Sequence, residues 1–323
     1  LTLEHLEKLI LLFDVFEGIN GGRSRLHNDT WMRALRNLTP DHIEELYARH
    51  RLEPFSSQPW VKGLTGGSDD HAGIFIAQSF TVAEALDVHG FLASIRNKRT
   101  LPQGRHNDYK SLAFTVYKVA YDYSKSRSHA LIDSPLGEAT RILFERKPLS
   151  PEYRLKLRIA KSIRARGEDR IGRPLIELIE NLNERNSRPM EEKMQLVYDT
   201  AADLSDQFLR MLIEALESDL REGEIIDVVR SISAAIPGLF LSLPFFTTIM
   251  HMCKNRGLIQ ALEERFPSQV PRREKRVLWF TDTIKDLNGV AVTLNKLGWL
   301  AHLRGRHLRI VTSLPPAELT ADL

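Results

Sequence analysis

The chain has 323 residues, enough for two or three domains. Hydrophobic residues make up 42% and charged residues 27%, which excludes a disordered chain, and a net charge of +3 is too small to mark a nucleic-acid binder. One cysteine, Cys253, excludes an internal disulfide and a cysteine-built zinc site, and suits a reducing cytoplasm.

Taken in chain order, "LEHLEKLILLF" has helical spacing, and "FDVFEGIN" reads as a strand entering a turn at Gly18, Gly21 and Gly22. The opening stretch carries Glu4, His5, Glu7 and Lys8 and no cleavage site, so it does not read as a signal peptide. "TPDHIEELYARH" predicts a helix with Thr39 as N-cap and Pro40 at its first position. "WVKGLTGGSDDHAG" reads as a strand with a glycine-rich end. "TVAEALDVHGFLASIRNK" predicts a helix starting at Thr81, with Glu84 completing a capping box. Residues 1–98 therefore have an α/β layout.

Residues 99–267 read as almost wholly helical, without a repeat of fixed period. "NDYKSLAFTVYKVAYDYSK", "PEYRLKLRIAKSIRARG", "RPLIELIENLN" and "EEKMQLVYDTAADLSDQFLRMLIEALESDLREG" carry apolar residues at three- and four-residue spacing. Residues 231–253 contain no Asp, Glu, Lys or Arg, which is the length of a membrane span. Pro237, Gly238 and Pro244 and five hydroxyl residues argue instead for a buried hairpin or an interfacial segment. Residues 153–173 hold eight basic and two acidic side chains, interleaved with Leu155, Leu157, Ile159 and Ile163. That pattern fits either a solvated face of a core helix or a helix lying on an anionic membrane surface.

"PSQVPRREK" reads as a linker into residues 268–323, where "KRVLWFTDT", "GVAVTLNKLGWLAHLRGR" and "HLRIVTSLP" give strand, helix and strand. This is the start of a Rossmann-like half-domain, although no G-x-G-x-x-G is present. Asn288 and Gly289 precede the helix, where free backbone amides attract anionic or hydroxyl-rich ligands. Asp282 and Asp286 serve equally as loop hydrogen-bonders or substrate contacts.

The first candidate site is "GGSDDHAG", residues 66–73. Strand alternation would put Asp69 and His71 on one side and Asp70 on the other, so that the carboxylate and imidazole share one ion. Zinc, manganese or iron suits such a pair. The alternative is a solvated turn in which Asp69 bonds to nearby amides. Glu17 and Asn20, at the end of the first strand, either line the same pocket or face solvent. His27, His42 and His50 fall in turn or amphipathic contexts and read as surface residues.

"FEGINGGRSRLHN", followed by "LTGGSDDHAG" and "AQSFT", resembles the C-terminal part of PHP domains, the polymerase-and-histidinol-phosphatase metal-dependent hydrolases. The resemblance covers residues 1–98 and implies the end of a distorted (β/α) barrel, with Asp69 and His71 as metal ligands and water activated against a phosphate ester. The family's His-x-His pair is absent here, so the ligand set is expected to be incomplete in this segment. "LWFTDTIKDLNGVAVTL" resembles the first strand, loop and helix of retaining GT-B glycosyltransferases, which implies a substrate loop at Asp282, Asn288 and Gly289 and a nucleotide-sugar donor bound by a later domain.

Both ends of the chain look cut, and the order of regions implies an internal segment of a larger glycosyltransferase for glycan or glycolipid synthesis. The implied partners are a glycan or lipid-linked acceptor and an anionic membrane surface, with no nucleic acid. The implied location is the cytoplasm, peripheral on the inner face of the membrane. The competing readings are a metal-dependent phosphoesterase with the PHP domain as its active part, and a non-catalytic helical scaffold.

Overall fold

The structure is a computed structural model that describes residues 1–127, 135–164, 172–222, 242–267, 276–282, 284 and 289–313. Much of the uncharged stretch (231–241), most of the expected linker (268–275), Asp286 and Asn288 lie outside the described residues. The architecture is mixed α/β and mostly helical, with three two-stranded sheets. Among the described residues the strands stay in pairs, without a barrel or a larger Rossmann sheet. Contacts divide the chain into Leu1–Pro267 and Ser268–Leu323.

The first unit begins with α1 (Leu3–Leu12), β1 (Val15–Asn20), α2 (Arg25–Arg36), α3 (Pro40–His50) and β2 (Gly63–Gly67). Thr2, Ser24 and Thr39 cap the three helices, each accepting the backbone N–H three residues on. Pro40 takes the first helical position of α3, where its missing N–H costs nothing. Lys62, buried beside the end of α1, donates to the carbonyls of Ile10 and Phe13 at 2.6 Å each. Burial pulls the Lys62 ammonium down to about 8, against the field of Asp14.

β1 and β2 run parallel and are followed by β3 (Ser79–Val82), α4 (Val88–Arg96) and β4 (Leu101–Gly104). β3 and β4 pair antiparallel. Thr81 therefore sits in a strand, not at a helix start, and α4 is capped six residues later by Asp87. The reason is tertiary. The Thr81 hydroxyl accepts from the Gly66 N–H at 2.9 Å and donates to the Gly66 carbonyl at 3.0 Å, stitching β3 to β2. A hydroxyl serving another strand cannot cap its own helix.

The helical part comprises α5 (Tyr109–Arg127), α6 (Pro135–Glu145), α7 (Pro151–Arg164), α8 (Gly172–Glu184) and α9 (Met190–Glu222), with helical residues 242–252 as α10 and α11 (Arg256–Arg265). One apolar core, around Phe114, Ile142, Ile179, Leu182, Leu204 and Phe245, joins α5, α6, α8, α9 and α10. A second, around Ile10, Leu11, Leu35, Leu46 and Leu64, lies under the first helices and recruits Leu262 and Phe266 from the far end of the unit. Among the described residues no helix is long and apolar enough to cross a membrane.

A buried carboxylate ties this second core together. Glu7, 2% exposed, accepts from Arg49 at 2.9 Å and from Arg265 at 3.1 Å, and lies 2.7 Å from His50 Nε2. His50 is thus a buried partner of Glu7 and not a surface residue. His27 is half-buried against the Ser24 hydroxyl at 2.7 Å, and burial pulls its pKa below the ordinary value. His42 closes the Thr39 cap and meets the Phe266 ring edge-on.

In the second unit, β5 (Arg276–Thr281) and β6 (His307–Thr312) pair in parallel and are joined by α12 (Gly289–Leu303). Ala291 and Leu294 are the buried residues of α12, while Val290, Val292, Trp299 and Leu303 stay exposed.

Candidate functional site at the ends of two parallel strands

The carboxyl ends of β1 and β2 bring Glu17, Asn20, Asp69 and His71 into one neighbourhood. A bulge makes this possible. Glu17 pairs with Thr65, and Ile19 pairs with Gly66, so Gly18 is an extra residue in β1. In an unbroken strand, residues three apart face opposite sides; the inserted residue resets the alternation. Glu17 and Asn20 therefore share a side, and the Asn20 amide donates to Glu17 Oε2 at 2.7 Å.

Beyond Asn20 the chain turns through Gly21 and Gly22. The Gly21 N–H donates to the Gly67 carbonyl at 2.8 Å, and the Gly22 N–H donates to Asn20 Oδ1 at 2.8 Å. The two loops approach so closely that a side chain at Gly21 would meet backbone and one at Gly22 would have to displace the Asp69 carboxylate. A Cβ on Gly21 would lie 2.5 Å from the Ser68 carbonyl, and one on Gly22 would lie 2.7 Å from Asp69 Oδ2. Asp69 thus stands directly over the β1 turn.

β2 ends at Gly67, so Asp69 and His71 lie in the turn after the strand and not on it. Strand alternation is not what brings them together. Asp69 adopts the left-handed region (φ 44°), which aspartate tolerates better than most side chains. The resulting turn leaves Asp69 Oδ1 3.3 Å from His71 Nε2. His71 is 82% exposed and Asp69 39%, so both remain open to a ligand. Asp70 turns the other way. Its carboxylate accepts the N–H groups of Ala72 and Phe75 at 2.9 and 2.6 Å and pins the following bend.

The turn at residues 20–24 is held from behind by residues absent from the sequence expectations. Asn28, 4% exposed, accepts the Asn20 N–H at 3.2 Å through Oδ1 and donates to the Asn20 carbonyl at 3.0 Å through Nδ2. On the other flank, the Asn107 N–H donates to the Arg23 carbonyl at 2.8 Å, and the Asn107 amide reaches the Gly22 carbonyl at 3.3 Å. A short parallel bridge joins Ser24 to Asn107. Arg105, just before it, folds over the Phe75 ring at 3.9 Å and bonds to Gln78 and Ser111.

Chemically, the site offers two carboxylates, one imidazole and one amide oxygen around a glycine turn. Asp69 and His71 are the donors that would hold a divalent metal, and Glu17 is engaged by Asn20. Among the described residues, no three His, Cys, Asp or Glu side chains gather as a complete metal-holding group. In the second unit, Asp282 is exposed just past the end of β5, and Gly289 is the first residue of α12, with open space around it. Asn288 lies outside the described residues. Comparison with protein-family models, with curated proteins and with solved structures gives no match.

Proposed function

We propose that the N-terminal strand-and-turn region is the closing part of a PHP-like metallohydrolase domain, carried by a longer glycosyltransferase whose GT-B domain begins in the second unit. The observation that carries the first half is the convergence of Glu17, Asn20, Asp69 and His71 at the carboxyl ends of two parallel strands. Barrel enzymes assemble their chemistry at that end. Asp69 and His71 would contribute to a zinc, manganese or iron centre, which supplies an activated water against a phosphate ester. Glu17, oriented by Asn20, would line the pocket beside it. For the second half, the supporting feature is the parallel β5–α12–β6 unit, with Asp282 and Gly289 at the mouth of its first loop, where a GT-B fold faces its substrates. A nucleotide-sugar would bind a later domain, with a glycan or lipid-linked acceptor.

Calorimetric titration of Mn2+ and Zn2+ into the chain tests the metal centre. Weak binding is expected, falling about tenfold or more in Asp69→Ala and in His71→Ala. Equal binding by wild type and a double variant would sink the assignment.

An anionic membrane surface on the cytoplasmic side fits as the partner of α7. Leu157 packs inward, while Leu155 and Ile159 are 59% and 51% exposed between the exposed Arg154, Lys156 and Arg158. Aliphatic side chains flanked by basic ones suit the headgroup boundary. Flotation should show binding to anionic vesicles at low salt and none to neutral vesicles, and Leu155→Asp/Ile159→Asp should lose it. No binding by wild type at low salt refutes this partner.

A further inference from the structure

We infer that His106 is a positioning residue for the candidate site: its neutral imidazole, acting through Asn28, latches the backbone of Asn20 and the glycine turn that follows. Asn28 is 4% exposed, so its amide must find protein partners. The Asn20 N–H can only donate, so the Asn28 atom facing it is the oxygen; the Asn20 carbonyl can only accept, so the atom facing that is the nitrogen. This fixes the orientation of the amide. One N–H of Asn28 then goes to the Asn20 carbonyl, with the Arg23 carbonyl a longer 3.5 Å from the same nitrogen, and the other points at His106 Nδ1, 2.9 Å away.

His106 Nδ1 must therefore accept. The imidazole is held neutral, with its proton on Nε2. Protonation would set an N–H on Nδ1 against the N–H of Asn28, two donors face to face. The charged groups acting on His106 from α2 are Asp29, which favours the charged form, and Arg25, which opposes it. Its chain neighbours are engaged elsewhere: Arg105 on Phe75, Gln78 and Ser111, and Asp108 on the Ser111 N–H. Burial is the larger influence and lowers the His106 pKa, in the direction the latch requires.

The consequence is a turn that is firm at neutral pH and loosens on acidification. Its meaning for catalysis rests on the metallohydrolase reading, whereas the latch itself does not. It is tested on the metal-free chain, by the protection of the Asn20 amide against hydrogen exchange as a function of pH. In wild type, protection should fall about five- to tenfold as His106 becomes protonated, the value of one hydrogen bond. His106→Gln, which keeps an acceptor and cannot titrate, should stay protected throughout. His106→Ala should be unprotected at every pH. Should the variants fail to fold, the imidazole nitrogen shifts of wild type decide. A neutral ring with its proton on Nε2 supports the latch; a proton on Nδ1 refutes it. So does unchanged protection across the titration, or identical behaviour of the Gln and Ala variants. Metal titration at constant pH reports separately on the metallohydrolase reading.

Discussion

Gly66 and Gly67 are adjacent in β2, yet they answer to different neighbours. A Cβ on Gly66 would lie 2.5 Å from the Phe80 carbonyl, a backbone atom that cannot move without parting β2 from β3. A Cβ on Gly67 would instead meet the Glu17 carboxylate, the far end of a flexible side chain. Gly66→Ala should therefore destabilise the chain by about 1–3 kcal/mol, the usual cost of overpacking. Gly67→Ala should leave stability within about 1 kcal/mol while displacing Glu17 from Asn20. Urea denaturation separates the two, and metal titration of the Gly67 variant reads the displaced carboxylate. At this scale the sequence was partly legible. The glycines announced a tight turn, and the spacing of Asp69 and His71 announced two neighbours, which the turn after β2 brings to 3.3 Å. Asn28 and His106 were not visible, because a buried amide bracketing a backbone leaves no spacing pattern in a sequence.

The helices α1, α3 and α11 meet at Glu7, and their packing depends on that carboxylate being ionised. Burial alone would push the Glu7 carboxyl up; hydrogen bonds from His50, Arg49 and Arg265 more than offset it, and its pKa lies below the ordinary value. A carboxyl depressed in the folded state contributes stability that is present above its unfolded pKa and lost as pH falls through the folded one. Acid should thus loosen the contact between these helices. Glu7→Gln removes the charge that the half-exposed Arg49 and the Glu45-paired Arg265 share, and should cost about 1–3 kcal/mol at pH 7, with a smaller loss at pH 3. Chemical denaturation at the two pH values measures both. The elements themselves were readable where capping and periodicity agreed, as in α1 and α3. Thr81 and Glu84 imitate a capping box, so the sequence of β3 has the local look of a helix start. The hydroxyl's true partner, Gly66, lies fifteen residues upstream, beyond the reach of local pattern.

Across the whole chain, the notable feature is the return of α11. Leu262 and Phe266 fill the core under α1–α3, and Arg265 reaches Glu7, more than two hundred residues away. The long helical stretch between them therefore belongs to one compact unit, Leu1–Pro267. Phe266 is 2% exposed, and Phe266→Ala should cost about 3–5 kcal/mol. The melting transition of the N-terminal helices should fall with it, although none of them is altered; calorimetry of the variant measures this. Nothing local in "GLIQALEERF" marks it as a lid for the other end of the unit. The bulge at Gly18 carries a last consequence. Were Gly18 drawn into the ladder as an ordinary paired residue, Asn20 would turn to the opposite face from Glu17. The unpaired residue keeps the two side chains together: a fully laddered β1 of the same length would be the more regular scaffold and would separate Glu17 from Asn20.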